Sequence, residues 1–132
     1  MEQPICVDTT LLVGLLRNDP IAKAWFAEHQ KTDIIVTTPI NAFEVFHGAH
    51  LSAKRDENVQ SAEDLLSEMS IINLSLGVAK KAGACFAALQ KQGESVDIRD
   101  LLIGATALAH GCSLKTANKK HFERIPGLVL VD

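Results

Sequence analysis

Five short runs rich in apolar and β-branched residues, PICVD, IIVT (34–37), IINL (71–74), CSLKT and GLVLV (127–131), alternate with longer segments whose apolar residues recur at helical spacing. Strands that alternate with helices predict an α/β chain with a central, mainly parallel sheet of about five strands, covered on both faces. The helix starts are marked locally. Asp19-Pro20 and Thr38-Pro39 each place a capping side chain before a proline suited to a first helical turn, and Ser75 can cap a long helix that stops at Gly93. The segment after Thr38 reads as one helix through INAFEVFHGAHLSAK, another helix runs from about Glu57 to Met69, and the run from Ile98 is closed by Gly111 in a left-handed C-cap.

In parallel sheets of this kind, ligands gather beyond the carboxyl ends of the strands. Asp8 stands at such an end, directly after the apolar ICV and before Thr9, Thr10 and LLVGLL. An ionised carboxylate there is costly to desolvate unless it is paired, hydrogen-bonded or bound to a cation.

The 132 residues fit one domain, residues 1–132, large enough to bury about two-thirds of the surface of the unfolded chain. With 47% hydrophobic and 22% charged residues, disordered and fibrous classes are excluded. No apolar stretch approaches the roughly 20 residues of a membrane span, and MEQPICVD lacks the basic and apolar regions of an export signal, so a cytoplasmic protein is expected. Cys6, Cys85 and Cys112 are dispersed among apolar residues and read as free core cysteines. A net charge of −3 argues against holding nucleic acid by bulk electrostatics, but not against an enzyme that visits RNA briefly.

Most of the sixteen acidic residues sit in polar stretches or, like Asp19, at caps. Three do not. Asp8 ends a strand, Glu44 interrupts INAFEVFHGA, and Asp100 precedes LLIGATALA. Glu44 has an alternative place on a solvent-facing helical stripe. Asp100 has one as the third residue of a capping box begun by Asp97. Thr116 and Asn118 can form a simple turn. Taken together, the three acids can converge at one end of a parallel sheet, where their mutual repulsion would be relieved by a hard divalent cation with oxygen ligands, Mg²⁺ or Mn²⁺. Such an ion polarises a phosphoryl oxygen and lowers the pKa of bound water.

The segments VDTTLLVGLLRND, TTPINAFEVFHGA and DLLIGATALAHGCSLKTANKKHFERIPGL resemble, in order and spacing, the PIN-domain ribonucleases, and among them the VapC toxins of type II toxin–antitoxin pairs. The resemblance implies a three-layer α/β/α fold and an acidic metal site. Carried over by motif position, the catalytic and metal-binding acids are Asp8, Glu44 and Asp100, with Mg²⁺ as cofactor and Mn²⁺ as a plausible substitute. Many family members have a fourth acid where this chain has Asn118, which weakens the case for a second tightly held ion. Thr116 would hold water or a carboxylate in the site, and Asp97 would act from behind the ligands. His121 reads as a surface turn residue, with contact to RNA as the alternative. Lys115, Lys119, Lys120 and Arg124 would steer an RNA backbone or form an ordinary solvated turn. The resemblance further implies an RNA substrate, a VapB-like antitoxin and a homodimer, with Trp25, Phe26, Phe43 and Phe46 as candidate contact residues, although core packing is the expected role for most of them. Alternatives are an RNA-processing PIN nuclease without an antitoxin, and a catalytically dead PIN fold that only binds. No glycine-rich phosphate loop follows the first strand, which sets aside a nucleotide binder.

Overall fold

A computed structural model describes residues 4–132. Strands β1 (Pro4–Val7), β2 (Ile34–Thr37), β3 (Ser70–Ile71), β4 (Ser113–Lys115) and β5 (Leu130–Val131) form one sheet in the order β3-β2-β1-β4-β5, with every pairing parallel. The chain builds outward from β1 to β3, then crosses back to place β4 on the other side of β1. The reversal between β1 and β4 is a topological switch point, which opens a crevice at the carboxyl ends of those two strands.

The helices are α1 (Thr9–Leu16), α2 (Pro20–His29), α3 (Pro39–Leu51), α4 (Arg55–Ser67), α5 (Leu76–Lys91), α6 (Ile98–Ala109) and α7 (Lys119–Phe122). Asp19, Thr38 and Ser75 cap α2, α3 and α5 as expected, each accepting a hydrogen bond from a backbone N–H of the first turn. Gly111 adopts φ +70° just past α6, the left-handed conformation expected of it. Helix α3 stops at Leu51, three residues short of the expected Lys54, because Ser52 turns extended and its hydroxyl donates to the Ala49 carbonyl.

Two apolar layers cover the sheet. Cys6, Val36 and Leu114 point into a core with Leu101, Ile103, Ala107, Phe122 and Ile125, whereas Val7 and the partly buried Ile35 pack with Leu12, Val45, Ala62 and Leu66. Neighbouring positions along β1 and β2 therefore serve opposite layers, which is the alternation a doubly covered sheet requires. Cys6, Cys85 and Cys112 are free; Cys85 is only half-buried. Burial pushes the thiols of Cys6 and Cys112 upward, so both remain protonated and act as small apolar groups.

Gly104 on α6 marks a close approach. A Cβ there would run into Ile125 Cδ1 and stand 3.3 Å from Leu128 Cδ2, so a larger residue would require the buried Ile125 side chain to shift. This contact fixes the segment that carries Asn118 and His121 against the helix that carries Asp100. Among the described residues no helix is long and apolar enough to cross a membrane.

Candidate active site

The parallel ladder carries one step past β1, where Asp8 N donates to the Lys115 carbonyl at 2.9 Å. The chain then turns into α1 with Asp8 as its N-cap, its Oδ1 accepting from Thr9 N at 2.9 Å. Asp8 is 5% exposed. Two more donors reach it from the neighbouring strand ends: Asn41 Nδ2 to Oδ1 at 3.0 Å, and Thr116 Oγ1 to Oδ2 at 2.7 Å. Three hydrogen bonds therefore fix both oxygens of the Asp8 carboxylate. All three donors are neutral, however, and among the described residues Asp8 has no ion-pair partner.

Asn41 is fully buried and was not legible as a site residue. Its Nδ2 also donates to Thr9 Oγ1 at 3.0 Å, while its Oδ1 accepts from the hydroxyl of Thr38 at 2.7 Å. Because a carboxylate can only accept, the amide nitrogen has to face Asp8, and Thr38 completes the other side. Thr38 thus both caps α3 and aims Asn41. Thr9 extends the network, donating to Glu44 Oε1 at 2.7 Å. Glu44 lies one turn beyond Asn41, so Asp8 and Glu44 are joined through Thr9 and Asn41.

Asp97 caps α6 and Asp100 occupies its first turn, but the reciprocal capping contact of Asp100 is not made. The Asp100 carboxylate turns instead to His121 on α7, with Nδ1 to Oδ2 at 3.1 Å. Burial pushes the Asp100 carboxyl above its ordinary range; the His121 hydrogen bond opposes this and the charges of Asp97 and Asp8 add to it. Arg99, between the two acids, binds Asp97 through Nε and Nη2 and holds the Asp97 carboxyl below its ordinary range. Its Nη1 stands 3.4 Å from Glu44 Oε2.

Among the described residues, no three His, Cys, Asp or Glu side chains stand at the separation that would hold one ion. Asp8, Glu44 and Asp100 are each engaged elsewhere, by Asn41 and Thr116, by Thr9 and Arg99, and by His121. The donor chemistry nevertheless fits a hard divalent cation. The available groups are carboxylate and hydroxyl oxygens without thiolates, and the charges of Asp8 and Asp97 bear on an Asp100 already burdened by burial. A cation would compete with Arg99 for Glu44 and with His121 for Asp100. Thr116 touches Asp8 and also accepts from Asn118 N at 3.0 Å, whereas the exposed Asn118 reaches the site only through that backbone bond.

Of the four basic candidates, Lys115 lies over Trp25 at 5.7 Å from the ring centroid, Lys119 pairs with Asp132, and Arg124 pairs with Glu94. Lys120 is exposed. Phe43 is exposed, while Trp25, Phe26 and Phe46 are half-buried, with Trp25 and Phe46 packed against the core beneath α1 and α3.

The PIN domain model matches residues 5–128. The chain belongs to the PIN-domain family. This PIN domain is 32% identical over 100 residues to ribonuclease VapC2 of Rickettsia felis, covering 76% of this chain and 75% of that one. It is 26% identical to the tRNA(fMet)-specific endonuclease VapC of Salmonella typhimurium over 96% of this chain and 95% of the relative. Its fold superimposes on a chain of Rickettsia felis VapBC2 bound to a DNA fragment from their promoter, with a TM-score of 0.89, 26% identity and 98% coverage of both chains.

Proposed function

We propose that this PIN domain is a Mg²⁺-dependent endoribonuclease, a VapC-type toxin that hydrolyses RNA phosphodiester bonds, with Mn²⁺ as a substitute ion. The observation that carries the reading is Asp8: a buried carboxylate at the switch point of a parallel sheet, held by three neutral donors and, among the described residues, without an ion-pair partner. Packing alone gives no reason for such a group, because an apolar residue there would avoid the desolvation cost. The VapC relatives supply the reaction class.

Asp8, Glu44 and Asp100 would hold the cation. When bound, the ion supplies positive charge to the phosphate and a more acidic water. The chain's own residues do the positioning. Asn41 and Thr116 fix both oxygens of Asp8, Thr9 fixes one oxygen of Glu44, and one of the three carboxylates accepts a hydrogen bond from the attacking water or takes its proton. Asp97 acts from behind by holding Arg99.

The partner is a VapB-like antitoxin, a reading supported by the likeness to a chain of VapBC2. A groove of about 160 Å³ lies beside the site, lined by Val13, Leu16, Val45 and Ala49 with Glu44 and Arg17 at its polar edge, and suits a partly apolar antitoxin segment. We further assign one domain over residues 1–132, a homodimer and a cytoplasmic location, where RNA and antitoxin are both at hand. The test is cleavage of total RNA by the purified protein with Mg²⁺, with EDTA, and by Asp8→Asn. Discrete cleavage lost in both controls is expected; equal cleavage by the variant overturns the assignment of Asp8.

A further inference from the structure

We infer that Arg99 is a substrate-binding residue of this site, a guanidinium that takes a non-bridging phosphate oxygen of the RNA backbone at the rim of the acid cluster. The inference rests on the RNA-cleaving reading above. A chain of net charge −3 gathers Asp8, Glu44, Asp97 and Asp100 at one sheet end, and a polyanion has to approach them. Among the described residues Arg99 is the one lysine or arginine in ion-pair contact with any of Asp8, Glu44 and Asp100. Lys115, Lys119 and Arg124 are engaged with Trp25, Asp132 and Glu94.

The orientation of the guanidinium is set by Asp97. Asp97 caps α6 by accepting from Arg99 N at 2.8 Å, and the same carboxylate receives Nε and Nη2, each at 3.4 Å. One edge of the fork is therefore fixed to the start of the helix. The other edge presents Nη1, which meets Glu44 Oε2 at 3.4 Å as an ion pair unaccompanied by a hydrogen bond. Among the described residues its two N–H donors make no hydrogen bond, and the side chain is 53% exposed. Arginine with one edge anchored and the other free is suited to a phosphate, whose oxygens match the fork geometry. In the free protein Asp97 supplies most of the countercharge of Arg99, and Glu44 adds to it on the Nη1 edge. Once Glu44 turns to a cation, the guanidinium is left beside the site with its charge uncompensated on that edge.

The test compares wild type with Arg99→Gln, Arg99→Lys and Asp97→Asn. Binding of a fluorescent single-stranded RNA oligonucleotide is measured with Ca²⁺ in place of Mg²⁺ across a salt series, and cleavage of the same oligonucleotide in Mg²⁺ gives kcat and KM. Loss of one phosphate contact predicts a salt slope for Arg99→Gln shallower by about 0.7 in log Kd against log salt. Losing one charge-assisted hydrogen bond predicts a KM raised about tenfold, with kcat changed much less. Arg99→Lys keeps the slope but loses part of the affinity, and Asp97→Asn weakens binding in the same direction by less. Thermal unfolding of Arg99→Gln is expected within a few degrees of wild type, because its ion pairs are exposed. An unchanged slope and KM in Arg99→Gln, with wild type active, overturns the assignment of Arg99 and leaves the nuclease reading standing. Wild type that neither binds nor cleaves RNA overturns both.

Discussion

Truncating Asn41 isolates the link between Asp8 and the rest of the site. Asn41→Ala removes the bond to Asp8 Oδ1, the bond to Thr9 Oγ1 and the acceptor of the Thr38 hydroxyl, all in a fully buried position. One bond to a charged group contributes about 1.5–3 kcal/mol and a neutral one about 1 kcal/mol, so the loss sums to roughly 3–5 kcal/mol. For a domain of this size, that lowers the melting temperature by about 10–20 °C. Asn41→Asp is isosteric and tests charge instead of volume. It sets a second carboxyl against Asp8, and two carboxylates at hydrogen-bond distance cannot both ionise. The folded variant then keeps a proton above the ordinary carboxyl range while the unfolded chain releases it, so its stability falls as pH rises through that interval. Urea unfolding in EDTA between pH 4 and 8 reads both effects. Asn41→Asp should approach wild type at the acid end, lose ground steadily above it, and recover in part on adding Mg²⁺. If Asn41→Asp is as stable as wild type at pH 8 without metal, residue 41 does not face the Asp8 carboxylate, and the hydrogen-bonded network around it is wrong.

Asp100→Asn should show the opposite trend in EDTA. The Asp100 carboxyl is raised from the usual 3.8, so its burial is a penalty absent at low pH and fully present above its folded-state pKa; urea midpoints of the variant relative to wild type should improve as pH rises past 3.8, while Mg²⁺-dependent cleavage is lost. Gly104→Ala forces Ile125 to shift and should cost about 1–3 kcal/mol, measured by urea unfolding, with partial rescue by Ile125→Val. Thiol titration of the native protein should leave Cys6 unreacted until denaturant is added, because the group is fully buried and its pKa raised by burial; immediate reaction of all three cysteines would contradict the packing of β1.

Local signals made most of the fold legible. Asp19-Pro20, Thr38-Pro39 and Ser75 each fix a helix start through chemistry confined to a few residues, and Gly111 fixes an end. The edge strands were harder. IINL and GLVLV read as four- and five-residue strands, yet only Ser70–Ile71 and Leu130–Val131 pair, since an apolar run sets burial but not how far an edge strand follows its neighbour. Helix α7 read as a turn because its four residues carry no side-chain cap; burial of Phe122 holds it, and that is a tertiary cause. The same reason hid Asn41 and Arg99, and the contact of His121 with Asp100. Asn41 looks like an ordinary polar residue in a first helical turn, and nothing local says that it faces Asp8. The one available signal was the repeated clustering of hydroxyl and amide residues just after strand ends, at Thr9, at Thr38 with Asn41, and at Thr116 with Asn118.

The partners of the three acids differ in a way that orders their roles. Asp8 is dry and held by groups that have no charge to give up, so its orientation is independent of any cation. Glu44 and Asp100 are paired instead with Arg99, anchored on its other edge by Asp97, and with His121, side chains that are 53% and 61% exposed. At the proposed metal site, Asp8 would be the ligand already fixed by the chain, whereas Glu44 and Asp100 would have to leave Arg99 and His121, both at the exposed rim, to reach a cation. Substituting Asp8 should therefore abolish cation binding outright. Substituting Arg99 should leave cation binding intact or strengthen it, because a competitor for Glu44 has been removed.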